Sequence, residues 1–123
     1  MWKIITANMK KIFLIKKNKD YKKIYNRGIS LANRYAVIFA MENQLGYSRF
    51  GYSVSKKIGK AVVRNKVKRR LKEISKNYVD RLAGGYDYII IARKGIEKLD
   101  FYQIKNNMEN LVYRINKKTA RKN

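Results

Sequence analysis

Between Arg49 and Leu71 the chain reads RFGYSVSKKIGKAVVRNKVKRRL, and the spacing of its apolar residues switches there from alternate to helical. Phe50, Tyr52 and Val54 alternate as in a strand, whereas Val63, Val67, Leu71, Ile74, Tyr78 and Leu82 fall on one face of a helix. A strand that feeds straight into an amphipathic helix has to share its core, which requires a sheet with helices packed against it. The opposite helix face carries Arg64, Asn65, Lys68, Arg69, Lys72 and Lys76, and Glu73 and Asp80 are the only acids between Ser53 and Leu82. A face that merely meets water mixes acids with bases, so this one points to a polyanion such as RNA.

The whole chain has the same bias. Its 123 residues suit one domain, and a net charge of +23 repels itself unless a polyanion or counterions neutralise it. The sequence is nevertheless 46% hydrophobic, enough for a folded core, so disorder is expected only at ends such as Lys117–Asn123. Cys and His are absent, which removes disulfides, thiol nucleophiles, the common zinc ligand sets and the usual general base. The eight acids, Asp20, Glu42, Glu73, Asp80, Asp87, Glu97, Asp100 and Glu109, are scattered and form no close pair. No catalytic residue and no metal site on the protein is expected. Residues 1–15 read as a partly flexible N-terminal extension with Met9 as an alternative start, because the apolar runs there are too short to span a membrane. A cytoplasmic location follows as an expectation.

Further elements can be placed. A first helix is expected over Asn18–Arg27, capped by Asn18 and ended by Gly28, with Tyr21, Ile24 and Tyr25 at helical spacing. Tyr35–Met41 alternates with apolar residues on both sides and predicts a buried strand. The polar turn Glu42–Gly46 then suggests an antiparallel hairpin to a strand over Arg49–Ser55. Gly84 and Gly85 stop the basic helix, Tyr86–Arg93 predicts a central strand, and Asp100 caps a last helix with Phe101, Ile104, Met108, Leu111, Val112 and Ile115 inward. The fold class is α+β, one sheet with helices against it.

From Ile15 to about Tyr113 the ordered residues resemble the protein subunit of bacterial ribonuclease P. The resemblance is carried by Lys16–Asn18, Asp20-Tyr21, Ile24-Tyr25, Gly28, Ser30, Asn33-Arg34, Arg49, Gly51, Ser53–Lys57, Gly59 and Ala61-Val62. Arg64-Asn65-Lys66-Val67-Lys68-Arg69 is similar to the family's Arg-Asn-Arg signature, with Lys66 in place of its second Arg, and Asp87–Arg93 also matches. The resemblance implies the order α-β-β-β-α-β-α with a left-handed βαβ crossover, a fold shared with the second domain of a small-subunit ribosomal protein. It places the domain at 16–116, between the extension and a basic tail at 117–123.

The function so implied is RNA binding in ribonuclease P, where a catalytic RNA removes the 5′ leader of precursor tRNA and Mg²⁺ is bound mainly by that RNA. The implied partners are the catalytic RNA, in a 1:1 holoenzyme, and precursor tRNA, with no membrane. Two surfaces follow from the resemblance. Lys56, Lys57, Lys60, Arg64, Asn65, Lys66, Lys68 and Arg69 would bind the ribozyme RNA, and Tyr21, Tyr25, Phe39 and Arg49 would line a cleft for the single-stranded leader, by base stacking and backbone charge. The position three before Phe39, often aromatic in the family, is Ala36, so part of that platform is expected to be missing. Two rival readings are a ribosomal RNA-binding protein, which lacks the ordered motif, and a cationic membrane-active protein, which needs an apolar helix face that this core requires.

Overall fold

The computed structural model describes residues 12–122, with side chains for 12–120; residues 1–11, including the Met9 start, and Asn123 lie outside the described residues. Eight regular elements follow in order: strand β1 (Phe13–Leu14), helix α1 (Asn18–Arg27), strands β2 (Ile29–Ala32), β3 (Ala36–Glu42) and β4 (Arg49–Ser53), helix α2 (Ala61–Lys76), strand β5 (Tyr86–Ala92) and helix α3 (Phe101–Lys122). Short 3₁₀ turns at Lys56–Ile58 and Ile96–Lys98 precede the last two helices. The expected order is therefore present with one strand added at its front. That strand, β1, lies inside the segment expected to be an extension: it pairs with β4, and Ile15 beyond it is buried and donates its N–H to the Phe50 carbonyl at 2.9 Å.

Helix ends follow local chemistry. Asn18 does not cap α1; the cap position is Lys17, which makes no side-chain cap bond, and Asn18 is the first helical residue. Gly28 does end the helix, although its φ is an ordinary −73°. Glycine is required there by close approach, since a Cβ would sit 2.7 Å from the Ile24 carbonyl oxygen and 3.0 Å from that of Ala40. At α3 the Asp100 carboxylate accepts from the Gln103 N–H at 2.8 Å while the Gln103 side chain accepts from the Asp100 N–H at 2.9 Å, a reciprocal capping box. The last helix does not give way to a basic tail at Lys117. It continues to Lys122, with Thr119 buried and donating to the Asn116 carbonyl. Helix α2 stops at Lys76, so Tyr78 and Leu82 bury themselves from the turn that follows rather than from the helix.

The sheet is mixed, in the order β1-β4-β5-β3-β2. The expected β3–β4 hairpin is absent: β5 lies between those strands, antiparallel to β3 and parallel to β4. The physical reason is burial. The run YDYIIIA of β5 is buried at six of its seven positions, so it takes the centre, where both edges are paired and both faces covered. Strands β3 and β4 still run in opposite directions, but across an intervening strand. Asn33 fixes the β2–β3 turn to α3, accepting from the Tyr35 and Ala36 N–H groups at 3.1 Å each and donating to the Asn107 carbonyl at 3.1 Å.

Alternation along the strands sorts two cores. One face presents Ala36, Ile38 and Ala40, Phe50 and Tyr52, and Tyr86, Tyr88 and Ile90 to helices α2 and α3, whose Val67, Leu71, Ile74, Ile104, Met108, Leu111 and Ile115 complete the larger core. Phe50 stacks on Tyr88 and Tyr88 on Tyr86, with ring centroids 5.5 and 5.9 Å apart. Burial pushes the Tyr88 phenol far above its ordinary value, and its hydroxyl donates to the Ala83 carbonyl at 2.9 Å. Among the described residues the other face receives α1, which sets Ile24 into a small core with Ile15 and Ile89.

Helix α1 is held by charge as well as by that keel. The Arg49 guanidinium donates to both carboxylate oxygens of Asp87, at 2.9 and 2.6 Å, and reaches Asp20 on α1 at 3.5 Å. The side chains of Arg49 and Asp87 are 19% and 7% exposed, so the fork works largely out of water. The bond to Asp87 pushes the guanidinium pKa above its ordinary value, against the opposing effect of burial. Replacing Arg49 with Lys keeps the charge and loses the planar fork. A loss of about 1.5–3 kcal/mol in unfolding free energy is expected by denaturant titration; a change within about 0.5 kcal/mol would show that the apolar keel alone positions α1.

Candidate RNA interface

The basic surface begins before α2. In the turn Lys56–Ile58 the two lysines are exposed while Ile58 is buried and anchors the turn. Gly59 follows with φ +153°, where a Cβ would press within 3.2 Å of Val63, so the chain can turn sharply into the helix only with glycine here. Lys60 takes the cap position without any side-chain cap bond, so the first helical N–H groups have no side-chain cap. Lys94 donates to the Lys57 carbonyl at 2.9 Å and ties the loop after β5 to this turn. Sequence reasoning missed Lys94, because no local pattern links it to a residue so far back in the chain.

Along α2, Asn65, Lys66, Lys68 and Arg69 are exposed and Arg64 is half-buried. Val67 and Leu71 point into the core between them. Among the described residues, the ion pairs involve Arg49, Lys76 and Arg81, and no carboxylate comes within pairing distance of Lys56, Lys57, Lys60, Arg64, Lys66, Lys68 or Arg69. The expected ribozyme-facing residues thus form one continuous, acid-free surface that combines lysine and arginine heads with helix N-terminal amides, the donor set that grips phosphates. Val62 sits among them 80% exposed, an apolar side chain the sequence gives no reason to single out.

The aromatic residues lie elsewhere, on the sheet face that carries α1. Tyr21 is laid flat on β4: a Cβ on Gly51 would come within 2.5 Å of the Tyr21 hydroxyl oxygen. That hydroxyl donates to the Ile15 carbonyl at 3.4 Å, and burial raises its pKa. Tyr21 therefore belongs in part to the packing of α1. Tyr25, one turn on, is 37% exposed and meets Phe39 edge-on, with centroids 5.1 Å apart and planes at 75°. In register, Phe39 lies beside Ile89 and Ile89 beside Gly51, while Val37, Ile91 and Ser53 form the next row. Ile89 is covered, whereas Val37, Phe39, Ile91 and Ser53 are half-buried. The result is a groove with Tyr25 on its wall and Phe39, Val37 and Ile91 on its floor. Val37 and Ile91 were not singled out in the sequence, although stepping by two from Phe39 finds Val37.

Two site expectations change. Ala36 is fully buried on the opposite face, where it pairs with Ala92, so it removes nothing from the groove; an offset of three along a strand reverses the face. Arg49 does not offer a free cation to the groove, because its guanidinium is engaged by Asp87 and Asp20. Among the described residues no group of three or more His, Cys, Asp or Glu is placed to hold a metal ion, and no helix is long and apolar enough to cross a membrane.

Comparison with known proteins bears on the family and the fold. The family model described as Ribonuclease P matches residues 9–116. A ribonuclease P protein component of Thermoanaerobacter sp. (strain X514) is 48% identical over 103 residues, covering 84% of this chain and 89% of that protein. The solved RNase P protein of Staphylococcus aureus superposes with a TM-score of 0.78 at 39% identity, covering 85% of this chain and 96% of that one. The RNase P protein of Thermotoga maritima gives 0.75 at 33% identity, covering 82% and 96%. The basic start of α2, the aromatic groove and these matches over most of the chain lead to one conclusion: this chain belongs to the ribonuclease P protein family.

Proposed function

We propose that the chain is the protein component of a holoenzyme that removes the 5′ leader from precursor tRNA, with the two surfaces divided between two RNAs. The start of α2, with Lys56, Lys57, Lys60, Arg64, Asn65, Lys66, Lys68 and Arg69, binds phosphates of the catalytic RNA. The groove between α1 and the sheet takes the unpaired leader, with bases against Tyr25 and Phe39. Tyr21 supports Tyr25, their rings being 6.3 Å apart, rather than meeting the RNA over its whole face. The observation that carries this reading is the pairing of half-exposed rings in a groove with a separate, acid-free basic surface on one small body. Aromatic faces accept any unpaired base, and a basic helix start accepts a structured phosphate backbone.

Catalytic metal chemistry belongs on this reading to the RNA. The protein offers no fitting donor cluster among its described residues, and Mg²⁺ held by the RNA would activate water and stabilise the leaving oxygen. The protein contributes orientation, by fixing the leader relative to the ribozyme, and charge neutralisation. A 1:1 complex in the cytoplasm, where precursor tRNA is made, completes the proposal. A ribosomal role has no support in the family match, and a membrane-active role would need the apolar helix faces that line the two cores.

Two measurements test the division. Arg69→Ala and Lys68→Ala lie on exposed positions of α2 and should weaken assembly with the ribozyme RNA while the melting temperature stays constant. Each lost phosphate contact should reduce the slope of log affinity against log salt by about 0.9, by analogy with duplex DNA. An unchanged slope with unchanged affinity would remove α2 from the interface. Tyr25→Leu keeps apolar bulk and loses the stacking face. The reconstituted holoenzyme should then lose about 1–3 kcal/mol of affinity for precursor but not for mature tRNA. Equal losses on both RNAs would mean that Tyr25 is only packing.

A further inference from the structure

A second recess of the described surface is separate from the aromatic groove. It lies on the other flank of α1, with a volume of about 770 Å³, between that helix, β1 and the β3–β4 connection. Two exposed rings form one side: Phe13 and Tyr47, 54% and 43% exposed, with centroids 4.7 Å apart and planes at 52°. Leu14 and Leu45 extend the apolar surface beside them. Along α1 and its approach stand Lys16, Lys17, Lys19 and Lys23, all exposed, and among the described residues none of them pairs with a carboxylate.

Three carboxylates also line the recess, and each has a partner. Asp20 and Asp87 face Arg49, and Glu42 accepts from the Tyr86 hydroxyl at 3.2 Å. Cations outnumber carboxylates there five to three. Paired rings in an open recess with a lysine rim match an unpaired nucleic acid, whose bases need a face and whose backbone needs charge. The same rim disfavours the other candidates for covering the rings. A second copy of this chain would bring a net +23, and residues 1–11 carry Lys3, Lys10 and Lys11 without any acid.

We propose that this recess binds leader nucleotides lying further from the cleavage site than those in the aromatic groove. The proposal rests on the reading of that groove as the leader cleft. Helix α1 is the common wall of the two: Tyr21 and Tyr25 face one side, and Lys19 and Lys23 the other. A helix is only about 10 Å across, so a short unpaired strand passes from one recess to the other over its first turn. The expected consequence is a second increment of affinity as leaders lengthen.

The test is a series of precursors whose leaders grow one nucleotide at a time, titrated with reconstituted holoenzyme beside mature tRNA. Wild type should gain affinity in two steps. Phe13→Ser/Tyr47→Ser and, separately, Lys19→Gln/Lys23→Gln should remove about five-fold or more from the second step and leave the first unchanged. The lysine variant changes no packed side chain and guards against a folding artefact in the aromatic one, as does the melting temperature of each free protein. A single step in wild type, or a second step retained in both variants, would overturn the proposal while leaving the groove intact. Absence of the first step would instead count against the leader cleft itself. A protein dimer that the aromatic variant disperses would assign the recess to a second copy and overturn the proposal as well.

Discussion

The fork from Arg49 to Asp87 and Asp20 is the joint on which the functional face depends. It connects β4, β5 and α1, three elements that lie far apart in the chain and meet at one guanidinium. Helix α1 has ten residues, too few to be stable alone, and Ile24 is its only fully buried side chain. Its position is therefore set by the sheet. The fork fixes its first turn at Asp20, Tyr21 beside it lies against Gly51, and Gly28 lets its end approach the Ala40 carbonyl. Where α1 sits decides how much of Phe39, Val37 and Ile91 stays open, and so the width of the groove on one flank and of the recess on the other. Asp87 is 5% exposed, and removing its partner would leave a nearly buried carboxylate uncompensated.

The remaining cations are arranged differently. At the start of α2 the basic side chains from Lys60 to Arg69 carry no ion pair among the described residues, Glu73 further along pairs with Lys76, and the apolar stripe behind them is fixed in the larger core. A protein with a charge of +23 on 123 residues gives up stability to self-repulsion, and a bound polyanion returns it. Recognition and folding thus draw on the same charges: the surface that is costly in the free protein is the one proposed to assemble with RNA.

Local patterns in the sequence carried most of the elements. The bounds of α1, the inward face of α2, the cap at Asp100 and the central position of β5 are all written in residues close to one another. What could not be read was pairing between distant segments. The turn Glu42–Gly46 looks like a hairpin, and only the stronger demand of β5 for burial on both faces separates β3 from β4. Strand β1 has two residues, too few for alternation to show. Arg49 reads as one more free cation because its partners, Asp20 and Asp87, are 29 and 38 positions away. Of the aromatic site, Tyr25 and Phe39 were legible by resemblance and by spacing, whereas the separate roles of Tyr21 as packing and Ala36 as core needed the sheet faces.

The central claim is that the leader lies in the groove between α1 and the sheet. The most direct measurement places photoreactive nucleotides in the leader of precursor tRNA bound to the reconstituted holoenzyme, and maps the crosslinked residues by mass spectrometry. Adducts on Tyr25 and Phe39, with Val37 and Ile91 beside them, are the predicted result. Adducts concentrated on the outer face of α3, at the exposed Tyr102 and Tyr113, with the groove unlabelled, would contradict it.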